Sequence, residues 1–147
     1  MKMIKFEKVS YADGVIPKRS DSGSAGYDFY STETVTIEPK TQVMIKTNIK
    51  AQMDYNTVLL LFMRSSLGIK KNLMLANTTG VIDSSYYNNE DNEGNIIGAV
   101  YNYGNEPVTI QAGDRFMQGV FVEYKTTDTT EEIINEKRTG GIGSTGV

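Results

Sequence analysis

Thr57-Val58-Leu59-Leu60-Leu61-Phe62-Met63 is the stretch on which the fold turns. It is almost continuously apolar and rich in β-favouring residues, as a strand buried on both faces would be. Arg64-Ser65-Ser66-Leu67-Gly68 follows it directly. Upstream, residues 43–51 alternate over a long span, with Met44 and Lys46 opposed to Val43 and Ile45. Residues 27–30 and 34–37 are extended in character. Residues 3–9 read as an edge strand with Ile4, Phe6 and Val9 on its inner face. Downstream, residues 72–76, 96–103, 108–110 and 115–124 continue the series. Glu38-Pro39-Lys40, Gly104-Asn105-Glu106-Pro107 and Ala112-Gly113-Asp114 supply turns, and residues 17–25 are loop-like. Short strands at this spacing predict an all-β barrel or sandwich. Residues 130–137 could form one or two helical turns.

The chain has 147 residues, which suits one domain with a modest core. No run approaches the ~18 apolar residues of a membrane span, and the first nine residues lack a signal peptide's apolar core, so a cytoplasmic protein is expected. With no cysteine there is neither a disulfide nor a thiolate nucleophile. The absence of histidine excludes imidazole metal sites and Ser-His pairs, which leaves Asp, Glu, Lys or Tyr as general base. A net charge of −3 argues against a nucleic-acid face. Any polyanionic ligand must meet a few placed arginines, backbone amides and a borrowed metal ion.

Within Gly80-Val81-Ile82-Asp83-Ser84-Ser85-Tyr86, two extended apolar residues deliver Asp83 to the end of a run, and Tyr86 follows three residues later. A carboxylate at the lip of a buried strand, beside an aromatic ring, suits the holding of a polar reactant. Taken alone, the heptad is more often a strand ending in an ordinary turn. The tail Gly140-Gly141-Ile142-Gly143-Ser144-Thr145-Gly146 has the composition of a backbone cradle for phosphate oxygens, or equally of a frayed end. It lacks the lysine and following helix of a Walker loop.

These two stretches, with Ala25-Gly26-Tyr27-Asp28, Arg64-Ser65-Ser66-Leu67-Gly68 and Gly113-Asp114-Arg115-Phe116-Met117-Gln118, resemble the five ordered motifs of the trimeric dUTP pyrophosphatase (dUTPase) family. The resemblance runs from residue 25 to 146. It implies a jelly-roll type β-barrel that forms a homotrimer and hydrolyses dUTP to dUMP and pyrophosphate with Mg²⁺. Residues 1–137 would form the barrel, with an exposed inserted loop at 87–92, and residues 138–147 a C-terminal arm that closes over nucleotide. Asp83 would hold and deprotonate the attacking water and accept the sugar 3′-hydroxyl. Tyr86 would lie against the deoxyribose and refuse a 2′-hydroxyl. Asn77 and the backbone of the hairpin carrying Ile96 and Ile97, with Gly80 alongside, would read uracil. Arg64 and Ser65, with Ser66, would contact the phosphate chain, and Arg115 and Gln118 would hold phosphate or water nearby. Asp28 would bind magnesium through water, since Mg²⁺ keeps several waters. Arg138, Gly143, Ser144 and Thr145 would close over the γ-phosphate.

The pattern has departures. Ile142 stands where the family usually has Phe, so it can cover the base but not stack on it. Met63 and Ser66 replace a frequent Pro and Gly. Arg-Ser-Ser-Leu also resembles the related dCTP deaminases, but aligning Glu93-Gly94 with their Glu-Gly puts Ala99 where those enzymes have a catalytic glutamate. A regulatory binding module, with a protein partner at the inserted loop, is the alternative outside enzymology.

Overall fold

The computed structural model describes residues 3–127 and Gly141. In chain order the strands are β1 (Lys5–Lys8), β2 (Lys18–Arg19), β3 (Tyr27–Tyr30), β4 (Val35–Ile37), β5 (Gln42–Lys46), β6 (Ile49–Gln52) and β7 (Thr57–Met63). Helix α1 (Ser65–Lys71) intervenes before β8 (Leu73–Leu75), β9 (Gly80–Ile82), β10 (Ile97–Asn102), β11 (Val108–Ile110) and β12 (Arg115–Glu123). The strands pair as β2-β3-β12-β7-β9, β5-β10-β8, β1-β6 and β4-β11, an all-β arrangement of the jelly-roll type. Among the described residues, no helix is long and apolar enough to cross a membrane.

β7 is flanked on both edges, by β12 and β9, and none of its seven residues is exposed. That is why its sequence can be apolar at consecutive positions. Leu59 and Leu61 point into a core with Phe29, Ile37, Ile45, Leu73, Ile96, Val100, Phe116 and Met117, all buried. Each such side chain contributes about 1.5–3 kcal/mol by leaving water. Phe6, Tyr27, Phe29 and Phe121 meet largely edge to face at one end of the core, with Phe6 5.3 Å from Tyr27 and 5.5 Å from Phe29 between ring centroids.

The alternation over residues 43–51 is not one strand. Asn48 adopts φ +58°, which ends β5 after Lys46, and β6 then pairs with β1 while β5 pairs with β10. Thr47 seals the corner, its hydroxyl donating to Ile96 O at 2.7 Å. Ile4 is exposed rather than inward, because β1 begins at Lys5. The loop-like residues 17–25 include the two-residue strand β2. Residues following β7 form α1, closed by Asn72 in the left-handed region (φ +57°), whose N–H donates to Leu67 O.

A β-bulge interrupts β12. Arg115 is level with Tyr30 of β3 but Met117 with Phe29, so two residues of β12 span one step of its neighbour. The extra residue lets Phe116 and Met117 both enter the core and returns Arg115 to the face that carries Asp28. Strict alternation would have buried only one of the two.

Candidate active site

A cleft of about 880 Å³ opens beside β9. Its apolar walls come from Met44, Leu61, Leu75, Val81, Ile82 and Ile97, and its polar groups from Gln42, Asn77, Thr79, Tyr86, Asp91 and Asn92. Ala76, Gly80, Gly98, Ala99 and Gly141 complete it. Of the residues expected from the sequence, Asn77, Gly80, Tyr86 and Ile97 therefore share one cavity. Asp83 follows Ile82, on the lining, in an exposed extended conformation (φ −79°, ψ 157°). A short 3₁₀ turn, Ser84–Tyr86, begins there, and the Tyr86 N–H donates to Asp83 O at 3.1 Å. The turn ties acid and ring together, so the spacing of three is structural as well as sequential. Gly141 lies against the ring: the Cβ it lacks would fall 3.2 Å from Tyr86 Cε1.

Ile96 is a correction. Its N–H donates to Ile49 O at 2.8 Å, its carbonyl accepts from Thr47 N–H at 3.0 Å, and its side chain is fully buried. Both peptide groups are committed to the barrel, so Ile96 reads nothing in the cleft. Ile97 differs. The Thr47-to-Ile96 bond makes Ile97 and Lys46 a pair without mutual hydrogen bonds, so the peptide groups of Ile97 point away from β5, to the β8 side. β8 has ended at Leu75 by that level, and Asn77 lines the cleft there.

A second group lies around Asp28, which is buried on β3. Its Oδ1 faces Arg64 Nε at 3.6 Å and its Oδ2 faces Arg115 Nη1 at 3.4 Å, with Ser20 Oγ also at 3.4 Å. Gln118 is level with Asp28 on β12, and its Oε1 lies where a Cβ on Gly26 would come within 2.5 Å. Gly26 therefore has to be glycine for this amide to sit over it. Arg64 is fastened by its backbone N–H to Phe116 O at 3.2 Å, and Ser65 and Ser66 are exposed at the start of α1. Arg64 and Arg115 line a polar hollow of about 440 Å³ with Tyr30, Thr109 and Asp114.

The two groups stand apart. β9 runs antiparallel to β7 with Ile82 level with Leu59, so Asp83 is level with Val58. Arg64 lies six residues further along β7's direction, which at ~3.3 Å per residue is ~20 Å from Asp83.

Residues 87–92 are less exposed than their composition suggests. Asn89 is buried, its amide donating to Tyr86 O at 2.8 Å and to Asn92 Oδ1 at 2.8 Å. The loop is also moored to the barrel. The Tyr87 hydroxyl donates to Glu7, and Lys50 Nζ donates to Asn88 Oδ1 at 2.6 Å and lies 3.3 Å from Glu93 Oε1. The Tyr87 hydrogen bond holds the Glu7 carboxyl below its ordinary value and raises the Tyr87 phenol. Hydrogen bonds from Ser10, then Lys50, likewise lower Glu93. Glu93 is thus occupied at the barrel wall, and Ala99 lines the cleft, which leaves the deaminase reading without its acid there. Asp91, Asn92, Gln42 and Met44 were missed as lining residues. Arg138, Ile142, Gly143, Ser144, Thr145 and the helical turns at 130–137 lie outside the described residues.

The dUTPase family model matches residues 12–146. A deoxyuridine 5′-triphosphate nucleotidohydrolase from Lactococcus lactis is 45% identical over 149 residues, covering 99% of each chain. The crystal structure of dUTPase from Streptococcus mutans is similar at TM-score 0.79 and 41% identity, over 84% of this chain and 98% of that one. A G164S mutant of Staphylococcus bacteriophage 80alpha dUTPase, solved with dUpNHpp, gives TM-score 0.75 at 26% identity over 99% of both.

Proposed function

The chain belongs to the dUTPase family, and from that premise we propose that it hydrolyses dUTP to dUMP and pyrophosphate at sites shared between the subunits of a homotrimer. Water attacks the α-phosphorus. Its oxygen forms the new P–O bond, its proton passes to the Asp83 carboxylate, and the bond to the β-phosphate bridging oxygen breaks to release pyrophosphate. A carboxylate is a weak base at neutral pH, so positioning and charge neutralisation supply most of the rate.

The observation that carries this reading is the cleft joining Asn77, Ile97 and Tyr86 beside Asp83. A pyrimidine edge fits the peptide groups of Ile97 and the Asn77 amide. Cytosine would set a donor where uracil sets an acceptor, and each group left unpaired costs about 1–3 kcal/mol. The Tyr86 ring packs against the deoxyribose. Arg64, Ser65, Ser66, Arg115 and Gln118 take the phosphate chain, and their distance from Asp83 within one chain supports a site completed by a second subunit. From the arm, Arg138, Gly143, Ser144 and Thr145 cover the γ-phosphate and Ile142 the base.

Among the described residues, no three acidic side chains converge as a metal cage would require. Asp28 already has both oxygens facing guanidinium groups, so it would not ligate a metal directly and would reach an ion carried on the triphosphate only through water. Mg²⁺ held in that way supplies neutralisation of phosphate charge. The activity belongs in the cytoplasm, where the nucleotide pool lies. Asp91 and Asn92 of the inserted loop help to line the cleft, which favours the hydrolase over a module that offers this loop to a protein partner.

Pyrophosphate release from dUTP, dCTP and UTP tests the reading. Release from dUTP alone is expected. Ammonia from dCTP, or no pyrophosphate from dUTP, would overturn it.

A further inference from the structure

We propose that Asn92 is a positioning residue for Tyr86, and that through this bond the inserted loop sets the preference for deoxyribose over ribose. The inference rests on the hydrolase reading above and adds a residue and a mechanism to it. The Tyr86 hydroxyl donates to Asn95 O at 2.6 Å and accepts from Asn92 Nδ2 at 2.8 Å. The ring is buried except where it meets the cleft, and Asn92 lines the same cavity.

Asn92 is itself held on every side. Its Oδ1 accepts from Asn89 Nδ2 at 2.8 Å and from Gly94 N–H at 3.0 Å, which leaves Nδ2 as the group turned to Tyr86. Its N–H donates to Asn89 Oδ1 at 3.0 Å, and its carbonyl accepts from the Tyr11 hydroxyl at 3.1 Å. Tyr11 in turn accepts from Asn95 Nδ2 at 3.1 Å, and Asn95 grips Asn48 through both side-chain atoms. Both partners of the Tyr86 hydroxyl are thus parts of one network anchored to the barrel. A ring fixed at its far end cannot tilt to admit a 2′-hydroxyl without breaking hydrogen bonds to buried groups, whose loss is expensive.

Asn92→Asp tests the bond, because it keeps an oxygen for Asn89 and Gly94 but removes the donor facing Tyr86, whose hydroxyl can meet the new oxygen only by giving up Asn95 O. Steady-state kinetics on dUTP and UTP, with the thermal midpoint, give the readouts. The ratio of kcat/KM for dUTP over UTP is expected to fall about tenfold or more, with kcat on dUTP changed far less. Tyr86→Phe deletes this bond together with the one to Asn95 O, so its loss should be at least as large, and adding Asn92→Asp to it should lower the ratio no further. A ratio within about twofold of wild type in either single variant, or losses that multiply in the double, would overturn the proposal. A purely structural loop would lower the thermal midpoint and leave the ratio unmoved. If Asn92→Asp does not fold, Asn92→Ala, which removes the donor to Tyr86 and adds no acceptor, decides the matter by the same ratio. A wild-type chain that releases no pyrophosphate from dUTP would overturn the hydrolase reading instead.

Discussion

Asp83 and Arg64 stand toward opposite ends of β7, ~20 Å apart by strand register. The proposed base and the proposed phosphate arginine cannot serve one triphosphate within a single chain unless the fold is remade. A rotational assembly solves the problem, because it sets one end of each subunit against the other end of its neighbour. β7, flanked on both sides and unexposed along its length, separates the two groups.

Replacing Asp83 with Asn removes the proton acceptor while keeping size and polarity. The kcat on dUTP should fall on the order of 10²- to 10⁴-fold. Calorimetry with a non-hydrolysable dUTP analogue should find binding within a few-fold of wild type. Turnover at the wild-type rate would rule out Asp83 as the base.

Titration should loosen the inserted loop in two windows. Glu7 and Glu93 have carboxyls lowered from 4.5 by Tyr87 and by Ser10 with Lys50, so their contribution is present above that value. It is lost as pH falls through the lowered folded values. The Tyr87 phenol is raised from 10.0 by the bond to Glu7, so its contribution is present below that value and lost as pH rises through the raised one. Amide hydrogen exchange, corrected for intrinsic rates, should show the loop well protected at neutral pH and losing protection at both extremes before the core does. Uniform protection loss across the barrel would contradict this.

Two glycines with positive φ should respond differently to alanine. Gly113 has φ +90° with nothing within 4 Å of the missing Cβ, so Gly113→Ala bears only the backbone strain, about 1 kcal/mol. Gly94 has φ +92°, and its Cβ would fall 2.8 Å from Tyr86 O and 3.0 Å from Tyr87 Cα. Backbone atoms cannot step aside there, so Gly94→Ala should cost a further 1–3 kcal/mol, roughly, in chemical denaturation. Equal costs would mean that the loop yields.

Where pattern and burial coincide, the sequence is a good guide. β3 and β7 have the bounds their composition suggests, since each is a run ended by polar or turn residues. The errors arise where alternation continues through a change of direction. Residues 43–51 keep a period of two, yet Asn48 turns left-handed between them. The bulge at Phe116 is equally hidden, because an extra buried aromatic still looks like a strand residue. Ile96 and Ile97 are indistinguishable by type, and only the register with β5 separates the committed peptide from the one turned to the cleft. The adjacency of Asp83 and Tyr86 was legible in their spacing of three. The bonding of Asn92 to Tyr86 was not, because an asparagine-rich loop reads as solvated until its amides are seen bonding one another. The spacing of Asn89, Asn92 and Asn95, with Gly94 among them, was the available signal.

The central claim is that one site joins the Asp83 end of one chain to the Arg64 end of another. Asp83→Asn and Arg64→Ala chains, each inactive alone, can be refolded together in equal amounts and assayed for pyrophosphate release from dUTP. If sites are shared, random assembly pairs an intact Asp83 with an intact Arg64 in about a quarter of them, and activity should return to about that fraction of wild type. If each chain carried its own complete site, the mixture would stay as inactive as its components.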